Sequence, residues 1–527
     1  MQRLIPVLTQ KILLKNLYPY IMKVNVLYSL SYIFLLLILN FRGVPQSIAP
    51  LSKQQMYEDF DQLVEIVQQY NPQIGVRKEV TGYDVIERML QMRSNIEDIQ
   101  SNADFYEFLS KVLANQIDMH SYMINYMVPK RVYHQFLSNT FFEIDTAVIP
   151  SVTREHIHHK SDLRRFSFGN HMLYHNGKYY VLGEIRLSGG AKKQILKDMI
   201  LTHIDGMPVD EYVFHSFHSF LPSAVRWDFV NHKYYVKTEY AMFPKGKFSF
   251  EDLNDHKKVD VDFSKYKNFA FNAMTESMHD MYKIIFFAEE KILYIFIAQM
   301  ENGMQEKIIQ EAKEKCEGRM PEKIVIDVRG NPGGSDFVWM DLLQYLNGDT
   351  ITVPCDIVVK SSLDIVHHYE KKHEDSTYKT VILKDTFNCS SKIDTLVCPT
   401  DAGLGYKGIY YVLQDQNTLS AAHSLSSICR HSDRFLSIGL PSGTIAGRGN
   451  GPSLFQLNHS KFTFAMECDL DITNNCVAQD YYQDIPEVFV TSSLREEIYR
   501  LFSNKVSSKN EEYLLNKDSF FREVLAR

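Results

Sequence analysis

Cysteine is scarce, with seven in 527 residues and none in a C-x-x-C spacing, so a structural zinc site is not expected. An excess of positive charge is also lacking. The 57 Lys and Arg are outnumbered by 64 Asp and Glu, for a net charge of -7, which argues against a general nucleic-acid binder. No internal repeat and no low-complexity run is present. Charge is missing altogether from Val24 to Phe41, and no acid precedes Glu58.

That uncharged stretch follows Arg3, Lys11, Lys15 and Lys23. A basic segment leading into an apolar one is the pattern of a secretory signal peptide, more compact if the start is Met22. The stretch is also just long enough, at about 18 residues, for an uncleaved membrane anchor. Ser47-Ile48-Ala49 resembles a cleavage site, although Pro50 would hinder cutting. No Cys follows the apolar run, so a lipoprotein anchor is not expected. Residues 1–49 are read as signal peptide or membrane anchor. The expected location is exported, periplasmic or extracellular, with membrane attachment only through this segment. The cysteines fit export, because Cys389 with Cys398 and Cys468 with Cys476 each bracket a polar, turn-rich segment that a disulfide could close.

Apolar residues recur at helical spacing from residue 53 (Met56, Phe60, Leu63, Ile66, Val67) and again over 84–99 and 104–116, so 50–135 is read as a helical domain. Short strands with turn signals follow over 136–262, and KDMILTHIDGMPVDEYV resembles the last strand and helix of a PDZ-like module. From about 285 apolar strands and amphipathic helices alternate, the pattern of a layered α/β domain, assigned to 263–505. Residues 506–527 read as a charged tail, helical or loose. The 31 Tyr and 33 Phe are read as core and sheet usage.

Two strand-to-turn-to-helix junctions carry the chemistry. In IVIDVRGNPGGSDF an apolar strand meets Asp327 and Arg329, then Gly330-Asn331-Pro332-Gly333-Gly334. In YYVLQDQNTLSAAHSL a second strand ends in polar residues, and Ser420 starts a small-residue helix. The first junction offers free backbone N–H groups and the second a nucleophile, and acyl transfer needs both.

IDVRGNPGG resembles the D-x-R-G-N-x-G-G signature of the S41 serine peptidases, the family of the carboxy-terminal processing (tail-specific) proteases and the tricorn core protease. NTLSAAHSL is similar to that family's T-x-S-A-A-E nucleophile segment. ANQIDMHSYM resembles the D-G-H-[ST] segment of the tricorn-like branch, and IGLPSGTIAGRGNG the loop after the nucleophile helix. The resemblance covers about 285–490 plus the His120 segment. It implies an α+β multidomain fold, with an N-terminal helical domain, a β-rich PDZ-like region and an α/β ClpP/crotonase-like catalytic domain. It also implies hydrolysis of protein or peptide substrates without metal or cofactor.

The resemblance makes Ser420 the nucleophile, with an oxyanion hole from the backbone N–H of Gly333 or Gly334 and that of Ala421. Asp327 and Arg329 are read as pinning the loop. The processing branch uses a Lys base after the nucleophile helix, but Arg448 stands in that region, and a guanidinium does not act as a base. The tricorn-like pattern implies His120 instead. His423, where the family has Glu, is a rival on the nucleophile helix. Ser121, Asp118 and Asp480 are candidate orienting or auxiliary groups. Histidine runs at 156–159 and 367–368 lack a matching carboxylate set for a metal, and Asp469 and Asp471 lack the glycine of a calcium loop. A second reading is a catalytically degenerate relative that binds peptide or lipid without cleaving. A third is a Ser/Lys protease with its lysine from elsewhere. Oligomeric state is not legible.

Overall fold

The structure is a computed structural model that describes residues 49–124, 281–360, 403–443, 451–473, 483–502 and 509–527 without a break, and shorter stretches within 137–270 and 377–396. Residues 1–48 of the proposed leader, Arg448, Asp480, Cys398 and Cys476 lie outside the described residues. Among the described residues no helix is long and apolar enough to cross a membrane.

The first helix, Lys53–Tyr70, starts at a capping box in which Ser52 and Gln55 satisfy each other's backbone N–H groups. It buries Met56, Phe60, Leu63, Val64 and Val67 on one face. Helices Gln73–Thr81, Val85–Gln91 and Asn102–Ala114 follow. Asp84 and Ser101 cap the last two, and Gly82 ends the first of the three at φ +72°, a left-handed C-cap. These helices do not enclose a separate core. Their apolar faces share one cluster with the β-rich region and with Phe455, Phe462, Phe464 and Met466 far downstream.

The β-rich region is an antiparallel sheet. Its strands run in the order Lys258–Asp262, Lys247–Asp252, Met199–Ile204, Lys178–Val181, Met172–His175. Helix Val209–His215 packs beside it. Phe166, Phe168, Phe243, Phe248 and Phe263 form an aromatic knot under the sheet, with Phe166 and Phe263 stacked at 4.6 Å. This is core use of aromatics.

The layered α/β domain is built on six strands in the order Tyr282–Phe287, Ile292–Ile297, Lys323–Asp327, Tyr410–Gln414, Phe435–Gly439, Val488–Phe489. The first pair is antiparallel and the rest are parallel. Ile292–Ile297 and Tyr410–Gln414 are buried at every position, as a sheet covered on both faces requires. Helices Gln305–Cys316, Asp336–Leu346 and Ala421–Ser427 cover one face through Ile308, Trp339, Leu342 and Ala422. A separate antiparallel sheet joins Ile351–Lys360 to Thr386–Leu396, Thr377–Ile382 and Asp469–Asp471.

The charged segment read over 506–527 is helical where it is described. Helices Glu511–Asn516 and Ser519–Ala526 cover the second face of the six-stranded sheet, with Leu514, Phe520, Phe521 and Val524 almost fully buried. Their apolar residues lie at helical spacing among charges that carry the outer face. The apolar run FTFAMEC, inside the span assigned to the α/β domain, is expected to complete that domain's sheet; its strand, Thr463–Met466, instead lies between Ser453–Gln456 and Tyr122–Met123. Cys468 is a free, buried thiol, so the expected loop to Cys476 is not closed.

Candidate active site

Strand Lys323–Asp327, in the interior of the sheet, delivers the glycine-rich turn at its C-terminal end. Asn331 is fully buried and organises that turn. Its Oδ1 accepts from the Gly333 N–H (2.8 Å), its Nδ2 donates to the Ile297 carbonyl (2.9 Å), and its carbonyl accepts from the Leu419 N–H (3.0 Å). Thr418 Oγ1 donates to the Val328 carbonyl (3.0 Å), and the Gly330 N–H donates to Asp415 Oδ1 (3.0 Å). The two junctions recognised in the sequence are thus stitched together.

The contact is close enough to require glycine. A Cβ on Gly333, which sits at φ +97°, would lie 2.5 Å from Ser420 Cβ, and one on Gly334 would strike the Met300 carbonyl. Ser420 occupies φ +50°, ψ −128°, a conformation that costs a non-glycine residue about 1–3 kcal/mol. It stands at the sharp turn between Tyr410–Gln414 and helix Ala421–Ser427, and its side chain makes no capping hydrogen bond. Among the described residues, the Gly334 and Ala421 N–H groups donate no hydrogen bond, whereas the Gly333 N–H is occupied by Asn331. Of the two glycines, Gly334 is therefore the one with a donor to spare.

His120 follows helix Asn102–Ala114 in a turn that leads into strand Tyr122–Met123. That strand pairs with Thr463–Met466, Tyr122 opposite Ala465 and Met123 opposite Phe464. This pairing brings in Glu467, a buried acid absent from the sequence reading. His120 Nδ1 and Glu467 Oε2 are 2.8 Å apart, and 32% of the His120 side chain remains accessible. Burial disfavours the charged ring. The Glu467 hydrogen bond and charge, with the charges of Asp118 and Asp469, outweigh it and raise the His120 pKa to about 9.

Asp118 and Ser121 are brought to the same turn in supporting positions. Asp118 Oδ1 accepts from the His120 backbone N–H (3.0 Å) and Oδ2 from Ser121 Oγ (2.7 Å). Neither bonds the imidazole; Glu467 does. The only trace of Glu467 in the sequence is a lone acid at the end of the apolar run Phe462–Met466. His423 is buried within helix Ala421–Ser427. No hydrogen bond joins Ser420 to His120 among the described residues. Nor do three or more His, Cys, Asp or Glu side chains converge as a metal-holding group among them.

A further buried acid, Asp484, lies beneath the nucleophile helix. Burial, opposed by Arg430 and a Ser426 hydrogen bond, raises its pKa to about 7. Gln416 and Leu440, on either side of the nucleophile helix, line a cavity of about 180 Å³ shared with Tyr174, Trp227, Asp228 and Tyr235 of the β-rich region.

Residues 291–475 match the family model for peptidase family S41. That segment carries both strand-to-turn-to-helix junctions, and its likeness is to a family of serine-type peptidases. Among solved structures the chain is similar to mature CPAF (14% identity, 88% of this chain and 98% of that one, TM-score 0.48). It is also similar to the photosystem II D1 C-terminal processing protease (11% identity, 86% and 97%, TM-score 0.36) and to the tricorn protease (12% identity, 90% and 36%, TM-score 0.32). No curated protein matches the chain.

Proposed function

We propose that the chain hydrolyses peptide bonds of protein substrates through an acyl-enzyme on Ser420, with His120 as general base and Glu467 as its orienting acid. The carrying observation is the strained Ser420 turn packed on Gly333, beside the undonated N–H groups of Gly334 and Ala421. In this reading neutral His120 takes the Ser420 hydroxyl proton as Oγ attacks the scissile carbonyl. The resulting oxyanion accepts hydrogen bonds from Gly334 and Ala421. His120 returns the proton to the leaving amine, and water activated by the same ring frees the acid product. Every proton is held by a side chain or by water, so the cycle needs no cofactor. Attack requires a Ser420–His120 hydrogen bond, which is absent among the described residues; catalytic hydrogen bonds often tighten only when substrate is bound. We also propose that residues 1–49 direct export and that the β-rich region serves as a PDZ-like module at the cleft.

That missing contact favours a second reading, a relative that binds peptide or lipid without cleaving. A fluorophosphonate probe and an unfolded protein substrate separate the two. The catalytic reading expects Ser420 to be labelled and hydrolysis to be lost in both Ser420→Ala and His120→Ala. Substrate retained by an unlabelled, inactive chain would establish the binder. Activity that persists in His120→Ala would move the base to His423 or a lysine.

A further inference from the structure

Arg329 stands at the stem of the glycine-rich turn, and its guanidinium is gripped on two edges by buried carboxylates. Nε and Nη2 donate to Asp327 Oδ1 (2.9 Å) and Oδ2 (2.6 Å), while Nη1 and Nη2 donate to Asp518 Oδ1 and Oδ2 (2.9 Å each). Lys509 Nζ adds an ion pair to Asp327 at 3.1 Å, and the Tyr294 hydroxyl donates to the same carboxylate. All four charged residues are almost fully buried.

Asp518 has a second task. Its Oδ1 accepts from the N–H groups of Phe520 and Phe521 (3.1 Å each), capping helix Ser519–Ala526. Arg329 stacks over the Phe520 ring, 4.7 Å from its centroid. Asp518 and Lys509 both lie outside the segment that matches the family, 291–475.

Buried ion pairs seldom repay their desolvation as net stability, whereas removing one partner is costly. What such an array can supply is fixed geometry. From Arg329 the linkage runs through Asn331, whose N–H donates to the Val328 carbonyl (3.1 Å) and whose carbonyl accepts from Leu419, next to Ser420. Oxyanion donors act only when held in place before reaction.

We infer that Asp518, with Lys509, is a positioning residue for the oxyanion turn: the 509–527 segment clamps Arg329 and so holds the Gly334 N–H in line with Ser420. The catalytic arm of this inference rests on the Ser420 reading; the structural arm does not.

The test compares full-length Asp518→Asn, Lys509→Gln and Val524→Ala with the unaltered chain. Val524→Ala loosens the same helix by a cavity and leaves the charges intact. Hydrogen exchange is followed at the bonded amides of Asn331, Gly333 and Leu419, alongside kcat and KM on an unfolded protein. Asp518→Asn should speed exchange at those amides about tenfold or more, and Lys509→Gln less. Asp518→Asn should also lower kcat about tenfold or more with KM within about twofold, the signature of lost transition-state contacts. Val524→Ala should lower the thermal midpoint but leave exchange at the turn and kcat near those of the unaltered chain. Unchanged exchange in Asp518→Asn, or an equal change in Val524→Ala, overturns the inference. If Asp518→Asn does not fold, Lys509→Gln decides by the same exchange readout. If the unaltered chain neither labels Ser420 nor hydrolyses, the catalytic reading fails, and exchange alone still decides the clamp.

Discussion

His120 acquires its partner from residue 467, across the pairing of Tyr122–Met123 with Thr463–Met466. Ser420 and the glycine turn are legible as contiguous motifs; the relation of Glu467 to His120 is not, because two short strands far apart in the chain create it. Asp480 lies outside the described residues, and Ser121 and Asp118, which adjoin the histidine in sequence, have side chains that serve the turn's backbone and each other. The pairing predicts a pH response with a definite sign. The folded pKa of about 9 exceeds the ordinary 6.5. The contribution of the pair to stability is therefore complete below about pH 6.5 and is lost as pH rises through about 9. On the catalytic reading, free-enzyme kcat/KM should rise toward about pH 9 as the ring loses its proton. Glu467→Gln removes the charge while burial persists, so the rising limb should move acidward by at least about one unit. Its plateau should be lower, because the ring loses its orienting acceptor. Thermal midpoints from about pH 7 to 10 should fall more steeply for the unaltered chain than for the variant. A limb that stays in place in Glu467→Gln would mean that another group titrates.

Element by element, strands were read more securely than the covering helices. IVIDV, KILYIFI and YYVL announce themselves as apolar runs bounded by turn residues, and each is a strand of the six-stranded sheet. The helices of 509–527 are only faintly legible, because charge dominates their composition and only a stripe at helical spacing marks them. That stripe covers one face of the catalytic sheet, where Phe521 packs against Phe287 (centroids 5.0 Å apart) and edge-on to Tyr294 (5.6 Å). Phe521→Ala should therefore cost about 3–5 kcal/mol in denaturant unfolding, the usual penalty for a fully buried phenylalanine. A loss below about 1 kcal/mol would mean that these helices are a dispensable cover.

At the scale of the whole molecule, the sequence suggested units in series, and the packing joins them. Segment boundaries were placed where composition changes, but composition does not reveal which apolar faces meet. Phe462 packs against Phe105 and Tyr106 of the last N-terminal helix, with centroids 6.1 Å and 5.2 Å away, and Phe455 against Tyr70 at 5.6 Å. Asp59, on the first helix, accepts from the N–H groups of His459 and Ser460 (2.9 and 2.7 Å). The strands that carry Glu467 are thus completed by the helices that lead to His120, so one interface builds both the core and the His120–Glu467 pair. A chain limited to residues 281–527 would leave Phe455, Phe462, Phe464 and Met466 uncovered and buried polar groups without partners, and contiguous apolar exposure of this kind drives association. That fragment should express insolubly or bind a hydrophobic dye strongly, and co-expression of residues 50–270 should restore a soluble complex. A monomeric 281–527 fragment that unfolds cooperatively would instead show that the peptidase segment carries its own complete core, and that the helices supply only His120.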